Sequence, residues 1–420
     1  MLHDQQLDHL LSDDLWAQVF LVLEQEFFTE AAAAATDPEI VVSPPVAEKC
    51  SQFHSLRLVC NRFNRVFKHR PKLSSCLILH DHFSHRSLLS LLLWLRREES
   101  HVEMFIADCS NPCAEAALAA TLTATACLTD GVSGVALRRA SPCSISVLSN
   151  FSSLTSCVLR GPTDEQLDLA PLQVLSHLQQ LQMHHGSFAN VGLLAELNHV
   201  VVSNSDVQYG QNCLSSSRLQ KLELFDSTLK ELSLADCSSL HELTCWSSNI
   251  LEAAASQDVA IPDTLQAFCL GLSGLTQLTY LDFLADCAHE GNCDISWVYT
   301  LTGLQRLRLY FKEGCVKVTE ELTLLTDLTD LMIKCGHYSE AVPVLTLDVP
   351  WKHLQDLQEV TFFSATLQVG LDILDLICLR HLKYVDFDEA KVLDEFSAGC
   401  LGALMYNMAI RRGKLQPKSQ

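Results

Sequence analysis

The residue types able to do chemistry are present in this chain but poorly grouped. His80, His82 and His85 surround Asp81 at spacings a metal ion could use, yet no distant cysteine pair completes a ligand set. A solvated loop between a strand and a helix accounts for them. His184–His185 is a weaker pairing of the same kind. Glu320–Glu321 and Asp386/Asp388 each offer the two carboxylates that acid–base catalysis uses, but on a repeating surface they read as solvent-facing charge. Gly271-Leu272-Ser273-Gly274 departs from the nucleophile elbow G-x-S-x-G and reads as a turn after an apolar strand ending near Leu270. The chain carries no phosphate loop, no H-E-x-x-H and no dinucleotide fingerprint. The expectation is a protein that works by binding rather than as an enzyme, with no cofactor and no metal.

Charge narrows the partners. Against 29 Lys and Arg stand 50 Asp and Glu, a formal net charge of −21. Such a surface repels phosphate backbones and anionic lipid, so neither nucleic acid nor membrane is expected. Arg57, Arg62, Arg65, Lys68 and Arg70 gather basic charge, but no aromatics for base stacking interleave with them, and they read as a solvated helix face. The most apolar run, Leu88 to Leu95, is bracketed by Arg86 and Arg96–Arg97 and falls short of the roughly 20 residues a membrane crossing needs. The opening MLHDQQLDHLLSDD lacks the basic-then-apolar order of an export signal, so the expected location is cytoplasm or nucleus. In that setting the 18 cysteines, none in a C-x-x-C pair, read as small hydrophobes in strands and turns.

The elements are set by a repeat. Between Leu219 and Ile250 the pattern L-x-x-L-x-(L/C) occurs three times, as Leu219/Leu222/Leu224, Leu229/Leu232/Leu234 and Leu240/Leu243/Cys245. The last two apolar residues of each unit are two apart, which is strand spacing with both side chains on one face. One such unit cannot bury its apolar face, whereas stacked copies bury a continuous core. These residues resemble the leucine-rich-repeat family, including the small residue, Cys237, that follows Leu232-x-Leu234. Early strands are expected at Leu73–Leu79, Val102–Ala107 and Val135–Leu137, alternating with helices over 84–97 and 114–127, at spacings of about 27–31 residues. Later strands are expected at Cys157/Leu159, Leu181/Met183, Val200/Val202, Leu222/Leu224, Leu243/Cys245, Phe268/Leu270, Leu281/Phe283, Leu307/Leu309, Leu331/Ile333, Val360/Phe362 and Val385/Phe387. Many of these lie about 19–26 residues apart, which leaves room for turns, 3₁₀ pieces or outer strands rather than full helices. The 13-residue step from Phe268 to Leu281 is irregular, so one of these two need not be an inner strand. A helix over 393–409 is expected to cover the open end.

The residue one past the second buried position points away from the core. In successive units this gives Phe225, Trp246, Tyr310, Lys334 and Phe363, an expected substrate-docking track on the concave face.

Two amphipathic helices precede the repeats. Leu15, Val19, Phe20 and Leu23 line one side of residues 10–23, with Ser12 as N-cap. Phe53, Leu56, Val59, Cys60, Phe63 and Phe67 do the same over 49–67, which ends at Pro71. Between them, residues 24–48 hold an alanine tract and a Ser-Pro-Pro stretch, with an inserted loop at about 28–48. Leu11-Ser12-Asp13-Asp14-Leu15…Val19-Phe20…Leu23 and Leu56-Arg57-Leu58-Val59-Cys60-Asn61-Arg62-Phe63-Asn64 resemble the two halves of an F-box. Ser12 replaces the family's usual proline, and the insertion is longer than its usual connection. The resemblance implies docking on a Skp-family adaptor, and through it on a cullin, with Leu11, Leu15, Val19, Phe20, Leu23, Leu56, Val59, Cys60 and Phe63 forming or bracing the adaptor surface. The expected architecture is an F-box-like all-α domain over 8–70, an α/β leucine-rich-repeat solenoid over 71–410 (a curved parallel sheet with outer helices early and shorter connections later), and a tail over 411–420. Two functional readings stand: the substrate-recognition subunit of an SCF-type ubiquitin ligase, or a repeat scaffold whose residues 10–70 merely cap the stack.

Overall fold

The computed structural model describes residues 132–162, 165–208, 218–230, 237–246, 272, 274–285, 295–311, 315–335, 344–363, 366–387 and 394–411, and in addition the backbone of five strands, Ser75–Leu79, Val102–Asp108, Asn249–Leu251, Asn292–Cys293 and Lys391–Val392. The two helices of residues 10–67, the helices expected over 84–97 and 114–127, and the strand expected at Phe268/Leu270 lie outside the described residues. The chain forms two compact units, residues 1–189 and 190–420.

In the first unit, β1 (Ser75–Leu79), β2 (Val102–Asp108), β3 (Gly134–Arg138) and β4 (Ser156–Arg160) pair in parallel, each with the next. Helix α1 (Pro142–Leu148) fills the connection from β3 to β4. It starts at Ser141, whose hydroxyl accepts from the Ser144 amide at 3.1 Å while the Ser144 hydroxyl accepts from the Ser141 amide at 2.8 Å, a reciprocal cap that satisfies two otherwise orphan donors. The inner strands continue with β6 (Gln180–His184) beside β4, and β5 (Gln166–Asp168) pairs with β7 (Ser187–Ala189) to begin a second, outer ladder.

The segment before β6 shows how sequence period selects structure. Leu169, Leu172, Leu175 and Leu178 are all buried and three apart, which matches the three residues per turn of a 3₁₀ helix. The backbone follows, with the amides of Leu172, Leu175 and Leu178 each donating to the carbonyl three residues back. At Leu181 the apolar step drops to two, reaching Met183, and the chain becomes a strand. The same change of period recurs at Ile295–Leu309 and Leu322–Ile333.

The second unit repeats this alternation of an inner and an outer strand: β8 (His199–Ser203) then β9 (Asp206–Gln208), β10 (Lys221–Phe225) then β11 (Thr228–Lys230), β12 (Glu242–Trp246) then β13 (Asn249–Leu251), β14 (Tyr280–Ala285) then β15 (Asn292–Cys293), β16 (Arg306–Phe311) then β17 (Cys315–Val318), β18 (Asp330–Cys335) then β19 (Val344–Leu347), β20 (Glu359–Phe363) then β21 (Thr366–Val369), and β22 (Tyr384–Asp386) then β23 (Lys391–Val392). The inner strands β8 to β22 form one parallel sheet, each hydrogen-bonded to the next rung without a shift of register. Because β12 pairs directly with β14, the inner sheet takes Leu281/Phe283 as its next rung after Leu243/Cys245.

A left-handed residue turns the corner after several inner strands: Arg139, His185, Asn204 and Asp226 have φ of 51°, 49°, 48° and 46°. Asn, Asp and His tolerate this region better than most side chains. Hydroxyls brace the corners, as Ser205 and Ser227 each donate to the carbonyl two residues back at 2.7 Å. At the corner after β4 and β6 the backbones come so close that a Cβ on Gly186 would lie 2.8 Å from the Gly161 Cα, so only glycine fits.

The core is the row of paired inner positions together with the 3₁₀ leucines. Phe362 is fully buried, edge-on to Trp351 at 5.9 Å and stacked with Phe387 at 5.8 Å. Cysteines serve as core residues here: Cys157, Cys237, Cys245, Cys335 and Cys400 are buried, and burial pushes the Cys157 thiol up to about 12. Helix α2 (Glu395–Arg411), expected over 393–409, buries Ser397, Cys400, Leu401, Leu404 and Met408 at helical spacing. Asp394 caps its first turn by accepting from the Ser397 amide at 2.7 Å, and Arg411 at its end donates to the carbonyls of Leu379 and Arg380 at 2.7 and 2.8 Å. Among the described residues, no helix is long and apolar enough to cross a membrane.

Candidate functional site

Parallel pairing in register makes columns of the outward residues. The last outward position of each strand from β10 to β20 gives one continuous column: Phe225 faces Trp246, Trp246 faces Leu284, Leu284 faces Tyr310, Tyr310 faces Lys334, and Lys334 faces Phe363. All five residues expected to form the docking track therefore stand in one row, joined by Leu284. The rings touch. Phe225 and Trp246 meet edge-to-face at 6.0 Å, and Trp246 reaches across Leu284 to Tyr310 at 5.6 Å. The Lys334 ammonium lies 5.6 Å above the Phe363 ring. Trp246 is 39% exposed, a large open area for an indole on a sheet face.

Beneath this column lies a polar set. Asp282 is only 5% exposed although it projects from the outward face of β14. Its carboxylate accepts from Trp246 Nε1 at 2.6 Å and from the Tyr280 hydroxyl at 3.0 Å. Arg308 stands opposite Asp282 in register but turns to Asp330, donating at 3.2 Å. Among the described residues, no cation lies within ion-pair distance of Asp282, and Arg308 Nε is buried with no hydrogen-bond acceptor. Burial, then the Asp282 charge, pushes the Tyr280 phenol up to about 12. Burial and the same carboxylate raise Tyr310, whose hydroxyl donates to the Met332 sulfur at 3.3 Å.

The neighbouring rungs carry a charged ladder instead. His199 Nε2 lies 2.9 Å from Glu223 Oε1, and Lys221 bridges Glu223 at 3.1 Å and Glu242 at 3.3 Å. The His199 hydrogen bond, followed by the Lys221 bond and charge, holds Glu223 below the usual carboxylate range against the opposing effect of burial.

Several solved structures follow a similar backbone course over part of the chain. An internalin, InlF, from Listeria monocytogenes matches over 66% of this chain and 80% of its own, at 16% identity and a TM-score of 0.42. The plant peptide hormone receptor RGFR1, solved in complex with RGF2, matches over 72% of this chain and 49% of its own, at 14% identity and a TM-score of 0.39. The ectodomain of the receptor kinase GASSHO1/SCHENGEN3 from Arabidopsis thaliana, in complex with CASPARIAN STRIP INTEGRITY FACTOR 2, matches over 77% and 46% at 14% identity and a TM-score of 0.37. The chain thus spans about half the length of either plant receptor. No protein-family model and no curated protein matches the sequence. The fold is nonetheless decided by the register of the strands. It is a leucine-rich-repeat fold.

Other candidate residues fall apart or away. His184 is buried at the end of β6, and His185 turns the following corner. Glu320 and Glu321 open a 3₁₀ helix, where their charge suits the exposed amides. Asp386 sits on β22 beside Tyr384, whose hydroxyl donates to it, while Asp388 lies outside the described residues. The His80–His85 group, the basic residues 57–70 and the nine F-box-like positions, Leu11 to Phe63, also lie outside them. Tyr280, Asp282 and Arg308 were not singled out by the sequence pattern read one position past the buried pair; they occupy the other outward positions of β14 and β16, so reading all three outward columns would have found them, whereas Leu284 stands in the expected column itself.

Proposed function

We propose that the chain is the substrate-recognition subunit of an SCF-type ubiquitin ligase, binding a protein through the outward face of β10–β20 and a Skp-family adaptor through residues 8–70. The observation that carries the binding half is the single register row Phe225–Trp246–Leu284–Tyr310–Lys334–Phe363. Aromatic side chains held rigidly on a sheet lose little entropy on binding, and clustered aromatics with exposed area concentrate interface energy. The adaptor half is supported by the F-box resemblance of Leu11–Leu23 and Leu56–Asn64. In this reading the protein makes no bond itself. It raises the effective concentration of its substrate beside the ubiquitin-conjugating machinery that the cullin carries.

Affinity purification of the full chain from cells with the ligase inactivated tests both halves. Recovery of a Skp-family adaptor and a cullin is expected, and Leu15→Ala with Phe63→Ala is expected to remove them while partners of the repeats remain. If adaptor and cullin are absent from the wild-type sample yet repeat partners are captured, the protein is a binding scaffold without a ligase link.

A further inference from the structure

The centre of the aromatic row is more specific than an apolar patch. On the outward face Asp282 stands opposite Arg308, while Asp330 stands opposite Arg306 in the adjoining row and accepts from Arg308 at 3.2 Å. Arg308 is committed to Asp330, and among the described residues the donors to Asp282 are neutral, the Trp246 indole and the Tyr280 phenol. A carboxylate 95% removed from solvent without a counter-charge is costly, and a partner cation relieves that cost on binding. Trp246 and Tyr280 turn their polar edges, the indole N–H and the phenol O–H, to it, and Trp246 and Tyr310, ring types whose faces attract cations, stand 5.6 Å apart in the adjoining column.

We propose that this box receives a lysine side chain of the bound protein, its ammonium lodging against the Trp246 and Tyr310 rings within reach of Asp282. The proposal rests on the reading that this face binds protein. Lysine fits better than arginine for a geometric reason. A guanidinium recognises a carboxylate best by two parallel bonds to both oxygens. Here Oδ1 already accepts from an indole and Oδ2 from a phenol, and the group is recessed between rings. A compact ammonium on a slender stem needs proximity rather than a paired edge.

The test uses the full chain with ¹⁵N-labelled tryptophan. Five indole resonances are expected from five tryptophans, and Trp246 is assigned by the one missing in Trp246→Phe. Nα-acetyl-lysine methylamide, the arginine analogue and the uncharged norleucine analogue are titrated separately at constant ionic strength. The lysine compound is expected to move the Trp246 indole resonance with a midpoint at least threefold lower than either of the others. Asp282→Asn keeps an oxygen acceptor for the indole and nearly the same shape, and it is expected to erase that preference while leaving the thermal midpoint within a few degrees. Equal midpoints for lysine and norleucine, a lower midpoint for arginine, or an undiminished lysine preference in Asp282→Asn would each overturn the proposal. Those results leave the wider reading intact if substitution of Trp246 still strips the captured protein partner, so the two failures are distinguishable.

Discussion

The inner strands of residues 134–184 and those of residues 221–363 bury the same two positions but present different faces. On β3 and β4 the last outward residue is Arg138 or Arg160, and on β6 it is His184, which is buried. On β10 to β20 it is Phe225, Trp246, Leu284, Tyr310, Lys334 or Phe363. Selection for packing cannot produce this difference, because these side chains lie on the side of the sheet away from the leucines. A strand that needs only to stay soluble is served by polar outward residues, as the first set is. An exposed indole such as Trp246, beside the half-buried Phe225, Tyr310 and Phe363, lowers solubility and needs another reason to be there. The contrast sets folding on one face of each strand and leaves the other free for the recognition proposed above.

The sharpest way to break that division is to compare two neighbours on β20. Phe362 points inward between Trp351 and Phe387, and Phe363 points outward under Lys334. Phe362→Ala leaves a ring-sized cavity and is expected to cost about 3–5 kcal/mol, read as a lower urea midpoint. Phe363→Ala is expected to cost less than about 1 kcal/mol, because it deletes a partly exposed side chain. Equal losses would mean that both faces serve the core and the division is wrong.

The second comparison concerns binding. Trp246→Ala is expected to weaken capture of the protein partner by about 2 kcal/mol, roughly thirtyfold. Arg138→Ala and Arg160→Ala are expected to leave it within about twofold. Binding measured by surface capture with the full chain separates these outcomes. A partner lost through the arginines and retained without Trp246 would move the recognition surface to the first set of strands.

The repeat was legible because its physics is local. A step of three followed by a step of two in buried residues, as in Leu172/Leu175/Leu178/Leu181/Met183, dictates a 3₁₀ turn and then a strand wherever it occurs. Parallel stacking at constant register then follows from the need to bury every apolar pair, and the column of Phe225, Trp246 and Tyr310 can be drawn before any coordinates exist. What escaped was the set whose meaning depends on neighbours in space. Asp282 and Arg308 are ordinary polar residues in outward slots. Only the pairing of β14 with β16, and the choice of Arg308 to turn toward Asp330, makes Asp282 a recessed and uncompensated charge. Leu284 was hidden for a different reason. The preceding rung had two candidate strands, Phe268/Leu270 and Leu281/Phe283, and the row could not be completed until the sheet had taken one of them.

The smallest expected effect probes the charged ladder beside the aromatic row. Glu223 accepts from His199 and Lys221, and these bonds hold its folded pKa below the ordinary value of 4.5. A carboxylate with a depressed folded pKa stabilises the fold at pH values above its unfolded pKa, and the contribution disappears as pH falls through the lower, folded value. At pH 7, Glu223→Gln is therefore expected to be less stable than the parent by a few tenths to about 1 kcal/mol, the ordinary scale for a pair in partial contact with solvent. As pH falls below about 4.5 the two urea midpoints are expected to converge, because the parent loses its ionised group while the glutamine has none to lose. A gap that persists at low pH would show that Glu223 acts there by shape and neutral hydrogen bonding. The outward charges flanking the aromatic row would then be spacers between recognition residues rather than a ladder that holds their strands in register.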